Sequence, residues 1–259
     1  MSDVRAERDG PVVTLTLDRP DRRNALDPNL LASLAEAFGD LSSDDSVRVV
    51  VLTGAGSAFS AGADLDWMRA SRTLSRADNR AEAAAMADAF DAVDRCPKAV
   101  IARVNGPAIG GGAGLVACAD VAVAVEGTRF AFAEVRLGLL PATIAPYVVR
   151  AIGPGHAREL FTSGRPFEAE EARTMGLVHR VVGADALDAG VAITVSNFLA
   201  CAPGAVEANK RLVRDLTASI SLPDLPERIA EARAGPEGQE GLAAFVEKRE
   251  PTWLRSPDS

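Results

Sequence analysis

The chain is poor in the residues that mark metal, disulfide and nucleic-acid-binding proteins. It has two histidines and three widely separated cysteines, Cys96, Cys118 and Cys201. An odd number of scattered cysteines makes no disulfide framework, and with so few histidines there is no metal-ligand spacing. Unpaired thiols fit a reducing, cytoplasmic setting. The net charge is −8 and no long basic run occurs. That balance argues against a nucleic-acid partner, because binding to phosphate backbones is driven by Lys and Arg. It leaves room for one phosphorylated small molecule held by local basic groups. Met1–Asp9 is charged and lacks the apolar core of a signal peptide. The most apolar stretch, Pro107–Val125, carries Asp120 and many glycines where a membrane span would carry large apolar residues. A buried strand and helix are expected there instead. No Gly-x-Ser-x-Gly elbow occurs, which argues against a serine esterase. Aromatics are only 5% of the residues, so the core should be built from small and branched side chains.

What is present is enough for one large domain: 259 residues, 47% of them hydrophobic. Val12–Leu17 alternates apolar residues with Thr, which predicts a strand with one wet face. Val47–Leu52, Ala99–Val104 and Val121–Val125 read as further strands, the first two feeding the glycine-rich segments. Between them fall helical patterns: one starting at Asp27-Pro28, one over Asp78–Asp94, and a short one near Gly112–Cys118. Strands alternating with helices imply an α/β fold with parallel pairing. Beyond Pro141 helices are predicted near 144–151, 156–162, 169–175, 184–200, 203–217 and 237–248, with a short strand near 178–182. The charged segment Leu222–Pro236 reads as a lead-in to the last helix.

Two glycine-rich segments stand out. The first runs from Gly54 through Ala61, Gly62, Ala63 and Asp64 to Leu65; the second runs from Asn105 through Gly110, Gly111 and Gly112 to Gly114. Each lies between a predicted strand and a predicted helix. Such a turn directs free backbone N–H groups outward at a helix start, where they can bind negative charge. Two donors aimed at one point would make an oxyanion hole. The alternatives are tight strand-to-helix turns with no ligand, or a dinucleotide site. The Gly-x-Gly-x-x-Gly order in its proper place, and a Gly-Lys-Ser/Thr ending, are both missing. Glu134, between Phe132 and Val135, precedes an apolar run. Partial burial there would raise its pKa and suit it to proton transfer. The alternatives are an ion pair with Arg136 or a surface carboxylate. Asp64 reads as the cap of a following helix.

These motifs, in this order, resemble the crotonase family, also called the enoyl-CoA hydratase/isomerase family. The resemblance spans nearly the whole chain and includes Arg22-Arg23-Asn24-Ala25-Leu26, both glycine segments, Glu134 through Pro141, Gly153-Pro154, Ala169 to Val178, and Phe245 through Arg249. It implies a spiral of strand–strand–helix turns over residues 1–200 and a helical trimerisation region over 201–259, giving homotrimers or hexamers. The ligand would be an acyl-CoA thioester, with CoA part of the substrate and no metal or redox cofactor. Its carbonyl oxygen would meet the N–H groups of Ala63 and Gly111, and Glu134 would move protons. CoA and acyl contacts would come from Arg22, Arg23 and Ala25 in the early turn, and from Ala61, Asp64, Leu65, Trp67 and Gly110 around the hole. Leu140 would add to these, as would Phe245 and Lys248 on the last helix.

The runs Phe59–Met68 and Glu134–Pro146 further resemble bacterial methylglutaconyl-CoA hydratases. One departure matters: two-glutamate hydratases carry a second glutamate where this chain has Gly114. Hydration of a 2-enoyl-CoA is the expected reaction. A Δ3,Δ2-enoyl-CoA isomerase, which needs a single base, is the alternative on the same scaffold. A low-turnover acyl-CoA-binding protein is the alternative from another class.

Overall fold

A computed structural model of the chain describes residues 3–218 and 235–254. The main sheet has six strands in the order β1 (Val4–Asp9), β2 (Val12–Leu17), β3 (Val49–Gly54), β4 (Ala99–Val104), β6 (Val121–Val125) and β9 (Arg180–Val182). β1 and β2 form an antiparallel hairpin, and every later pair is parallel. β3 and β4 are almost entirely buried, as expected of parallel strands covered on both faces. Val12–Leu17 does not keep the wet face its Thr residues suggested: only Val12 and Thr14 are partly exposed. It lies inside the sheet between β1 and β3. Its outer neighbour β1 was not foreseen, because five of its six residues are exposed and it carries no apolar period.

A second, small sheet of β5 (Ala108–Ile109), β7 (Arg129–Ala131) and β8 (Pro166–Glu168) lies beside the first. Two single bridges extend it toward the N-terminus, Leu26 to Ala63 and Ser60 to Ala108. The chain thus repeats one path: a strand in the large sheet, a short extended piece in the small one, then a helix. β2 leads to Leu26 and α1 (Pro28–Ser43). β3 leads to Ser60 and Ala63, then α2 (Leu65–Ser71) and α3 (Arg76–Arg95). β4 leads to β5 and α4 (Gly111–Cys118), and β6 leads to β7 and α5 (Ala145–Ser163). This is the spiral of strand–strand–helix turns that the resemblance implied, an α/β fold.

α5 is broken at Gly153 (φ 74°, ψ 160°), just before Pro154, so the two helices expected over this stretch are two arms of one bent run. α6 (Ala169–Met175), α7 (Leu187–Leu199), α8 (Pro203–Ala218) and α9 (Pro236–Glu247) complete the helical half. Most of the lead-in expected before the last helix lies outside the described residues. α9 ends at Glu247. Lys248 therefore sits past the helix, not on it, and takes a left-handed φ of 55° while Arg249 N–H closes back on the Ala244 carbonyl.

The C-terminal helices are fastened to the sheet. Lys210 on α8 bonds Asp120 at 2.6 Å and the Lys98 carbonyl at 2.8 Å. Arg48 donates to the carbonyls of Cys201 and Trp253. The main core packs Phe38, Phe59, Phe90, Phe130 and Phe132 among Leu, Val and Ala. Among the described residues no single helix is long and apolar enough to cross a membrane.

Candidate active site

The first glycine segment takes its shape from polar side chains on other turns of the spiral. Asn24, fully buried and in the left-handed region at φ 56°, donates through Nδ2 to the carbonyls of Ala55 and Ala58. Asn tolerates that region because its short side chain can satisfy nearby backbone. Its own carbonyl accepts from Ser60 Oγ at 2.8 Å. Asn105, after β4, donates to the carbonyls of Gly54 and Gly56. Neither asparagine was singled out as a structural anchor from the sequence. In the sequence Asn105 is the first residue of its glycine segment and Asn24 part of a family motif.

The loop so held passes Ala63 beside Leu26. The bridge between them is made by the neighbours of Ala63: Leu26 N–H donates to the Gly62 carbonyl, and Asp64 N–H donates to the Leu26 carbonyl. In a parallel bridge those bonds leave the central residue's own N–H facing the other way. The Ala63 N–H donates to no group among the described residues. Asp64 is buried and caps α2, accepting from the N–H groups of Asp66 and Trp67, and it pairs with Arg19 at 3.2 Å.

The second segment enters α4. Gly110 N–H donates to the Ala131 carbonyl at 2.7 Å, which fixes the chain just before the helix. No side chain caps α4. The Gly111 N–H, at its first position, also donates to no group among the described residues. Leu26 adjoins both donors. It is bridged to Ala63, and its Cδ1 lies 2.7 Å from where a Cβ on Gly111 would stand. Gly62 in turn packs on the Ile109 carbonyl, 2.8 Å from its missing Cβ. Two unpartnered N–H groups, one on exposed Ala63 and one on half-buried Gly111, therefore both belong to residues that adjoin Leu26.

Glu134 reaches the same place from β7. Phe132 is fully buried, packed edge-on to Phe161 at 5.2 Å and against Phe167, and this anchors the turn two residues before Glu134. Glu134 then opens a single 3₁₀ turn that closes at Gly138. Its Oε1 lies 2.9 Å from where a Cβ on Gly110 would stand, against the residue that precedes the free Gly111 N–H. Its Oε2 is buried without a hydrogen-bond partner. Arg136 forms no ion pair with it, so the pairing considered from the sequence is absent. Burial pushes the Glu134 carboxyl above the usual carboxylate range, and its own backbone N–H draws it partly back.

The remaining expected contacts differ in burial and in the partners they already hold. Ala25 is buried and Ala61 is exposed on the rim of the first loop. Leu65 and Leu140 are exposed apolar side chains, Leu140 at 82%. Trp67 packs partly on the core and donates its indole N–H to Glu82 at 2.7 Å. Arg22 and Arg23 are exposed. Arg22 is engaged with Asp66 at 2.7 Å, and Arg23 turns through the left-handed region. Lys248 is exposed far along the chain, and the Phe245 side chain lies outside the described residues. Among the described residues no group of three or more His, Cys, Asp or Glu could hold a metal.

Gly114, one turn into α4, is buried and has no room for a side chain. A Cβ there would lie 2.3 Å from Cγ2 of Ile144 and 2.8 Å from its Cβ.

Comparison with known proteins agrees with this architecture. A solved enoyl-CoA hydratase from Shewanella pealeana superposes with a TM-score of 0.92 at 35% identity, covering 96% of this chain and 95% of that one. Another from Mycobacterium smegmatis gives 0.88 at 39% identity, over 97% and 99%. The 2,3-dehydroadipyl-CoA hydratase of Escherichia coli is 34% identical over 258 residues, 97% of this chain and 98% of the relative. Residues 7–256 match the family described as Enoyl-CoA hydratase/isomerase. The chain belongs to that family.

Proposed function

We propose that the protein is an enoyl-CoA hydratase that adds water across the conjugated double bond of a 2-enoyl-CoA thioester. The observation that supports this reading is the contact of Glu134 Oε1 with Gly110, the residue before the free Gly111 N–H, together with the burial of the unpartnered Oε2 of the same carboxylate. The thioester oxygen accepts from both N–H groups. As water attacks the β-carbon, Glu134 takes its proton and charge collects on the thioester oxygen. The α-carbon then takes a proton, and Glu134 returns to its ionised form. Each fixed donor in such a hole is worth about 3 kcal/mol. CoA enters as part of the substrate. The names of the relatives support the same reaction class.

The proposed acyl group is of the 3-methylglutaconyl kind, which the run from Glu134 to Pro146 supports. A double-bond isomerase is the second reading, and Gly114 favours it because no second acid stands on α4. Assembly into trimers or hexamers is proposed through the C-terminal helices, where Val213, Leu216 and Leu242 are exposed.

The test offers purified protein crotonyl-CoA, 3-methylglutaconyl-CoA and a 3-enoyl-CoA. Loss of conjugated absorbance with uptake of labelled oxygen from water supports hydration. A gain of conjugation without that label favours isomerisation, and tight binding with neither change leaves only a binding protein. The pH profile adds a second check. Glu134 must be ionised to accept a proton, and burial raises its pKa. The acid limb of kcat/KM, which reports the free enzyme, is therefore expected above pH 4.5, the ordinary glutamate value. A limb at or below that value would remove Glu134 from the proton-transfer step.

A further inference from the structure

Ile144 is the first residue before α5, ten positions beyond Glu134 on the same connection. Its N–H donates to the Pro141 carbonyl at 3.2 Å, and it is 1% exposed. Its branched side chain lies against Gly114, and the contact involves Cβ as well as Cγ2. The branch point cannot swing aside as a long side-chain tip can, so Ile144 and a side chain at 114 exclude each other. The other groups around the first turn of α4 are Leu26 and Phe90 beside Gly111, and Ser60, whose hydroxyl is already spent on the Asn24 carbonyl. Thr143, next to Ile144, donates its hydroxyl to Met86 Sδ. The first turn of α4 itself, residues 111–114, carries no side chain that could hold a proton or a reacting water.

We propose that Ile144 is a specificity-determining residue: by filling the space at Gly114 it keeps the α4 side of the site dry, so Glu134 alone exchanges protons with the acyl chain and does so shielded from solvent. This rests on the proposed role of Glu134. It follows that the protein also shifts double bonds. From a 3-enoyl thioester Glu134 takes a proton at C2, a new C2–C3 double bond forms as the C3–C4 one is lost, and the same proton goes to C4. Nothing is added or lost, and no water takes part. Hydration on the same site needs a water bound by Glu134 alone, which returns the proton to the α-carbon from that side. Ile144 thereby sets the ratio of the two reactions.

The experiment compares wild type with Ile144→Ala, Gly114→Glu, the double variant Gly114→Glu/Ile144→Gly, which also removes the clashing Cβ, and Glu134→Gln. A 3-enoyl-CoA is converted in D2O and the product analysed for deuterium at C4; hydration of crotonyl-CoA is measured alongside. Wild type is expected to return mostly the substrate's own protium. Ile144→Ala, with its site opened to water, is expected to give mostly deuterated product and a higher ratio of hydration to isomerisation. Gly114→Glu is expected to melt lower than wild type or fail to fold. The double variant should regain the fold and raise hydration relative to isomerisation by about 100-fold, the usual scale of one added acid–base group. A wild type without isomerase activity, solvent deuterium already dominant in wild type, or an Ile144→Ala variant with unchanged ratio and unchanged protium retention would each overturn the inference. Glu134→Gln separates the two levels. If it keeps both reactions, the role of Glu134 falls; if it loses both while Ile144→Ala behaves as wild type, only the role of Ile144 falls.

Discussion

Glu134→Gln is expected to lower turnover of a 2-enoyl-CoA by about 10²- to 10⁴-fold, the range for loss of a positioned general acid–base group. Binding of the CoA ester should change little, because glutamine keeps the size of the side chain and the N–H groups of Ala63 and Gly111 are untouched. The same change should leave the melting temperature at neutral pH equal or higher. The sign follows from burial. The folded state holds the Glu134 proton more tightly than the unfolded chain does, since its pKa is raised. As pH rises from the unfolded value through the folded one, the unfolded state gives up its proton first and gains relative stability. At neutral pH the ionised carboxylate is thus a cost to the fold, and an amide removes it. Kinetics and a thermal melt on the same preparation check both halves. Unchanged turnover would reject the proton-transfer role, and a large drop in melting temperature would recast Glu134 as a structural residue.

Gly110→Ala carries the second large effect. Gly110 has φ 50° and ψ −118°, a region closed to residues with a Cβ. Holding alanine there costs about 1–3 kcal/mol of backbone strain. The new methyl would also lie 2.9 Å from Glu134 Oε1, so the carboxylate must shift from the position it holds. A misplacement of about 1 Å at a reacting centre costs on the order of 100-fold in rate. The variant should therefore lose both stability and turnover, in contrast to Glu134→Gln, which loses turnover alone. A thermal melt and kcat measured together separate the two patterns, and wild-type turnover in Gly110→Ala would mean that Glu134 does not act from the position it holds here.

The long parallel strands were legible because burial on both faces leaves a continuous apolar run, as in Val49–Leu52 and Ala99–Ala102. β1 was not, because its strand character comes from pairing with β2 and its side chains point to water. The small sheet escaped notice since its strands are two or three residues long, shorter than any period. The glycine segments and Glu134 drew attention through composition and position between elements. What fixes them did not: Asn24 reaches across 31 residues to Ala55 and Asn105 across 51 to Gly54, and no local pattern announces such bonds. Ile144 read as the start of a helix and as one residue of the Glu134–Pro146 run. Its bearing on Gly114 depends on how α4 packs against α5.

The two asparagines also bear on how the molecule comes into being. Residues 54–58 are gripped by one amide that precedes them and another that follows β4. A nascent chain still short of Asn105 has only half of that clasp. The 54–58 loop is therefore fully held only once the third turn of the spiral has brought Asn105 into place. Amide hydrogens in the Gly54–Ala58 loop should accordingly exchange with solvent as slowly as those of the central strands, although the loop has no regular secondary structure to protect it.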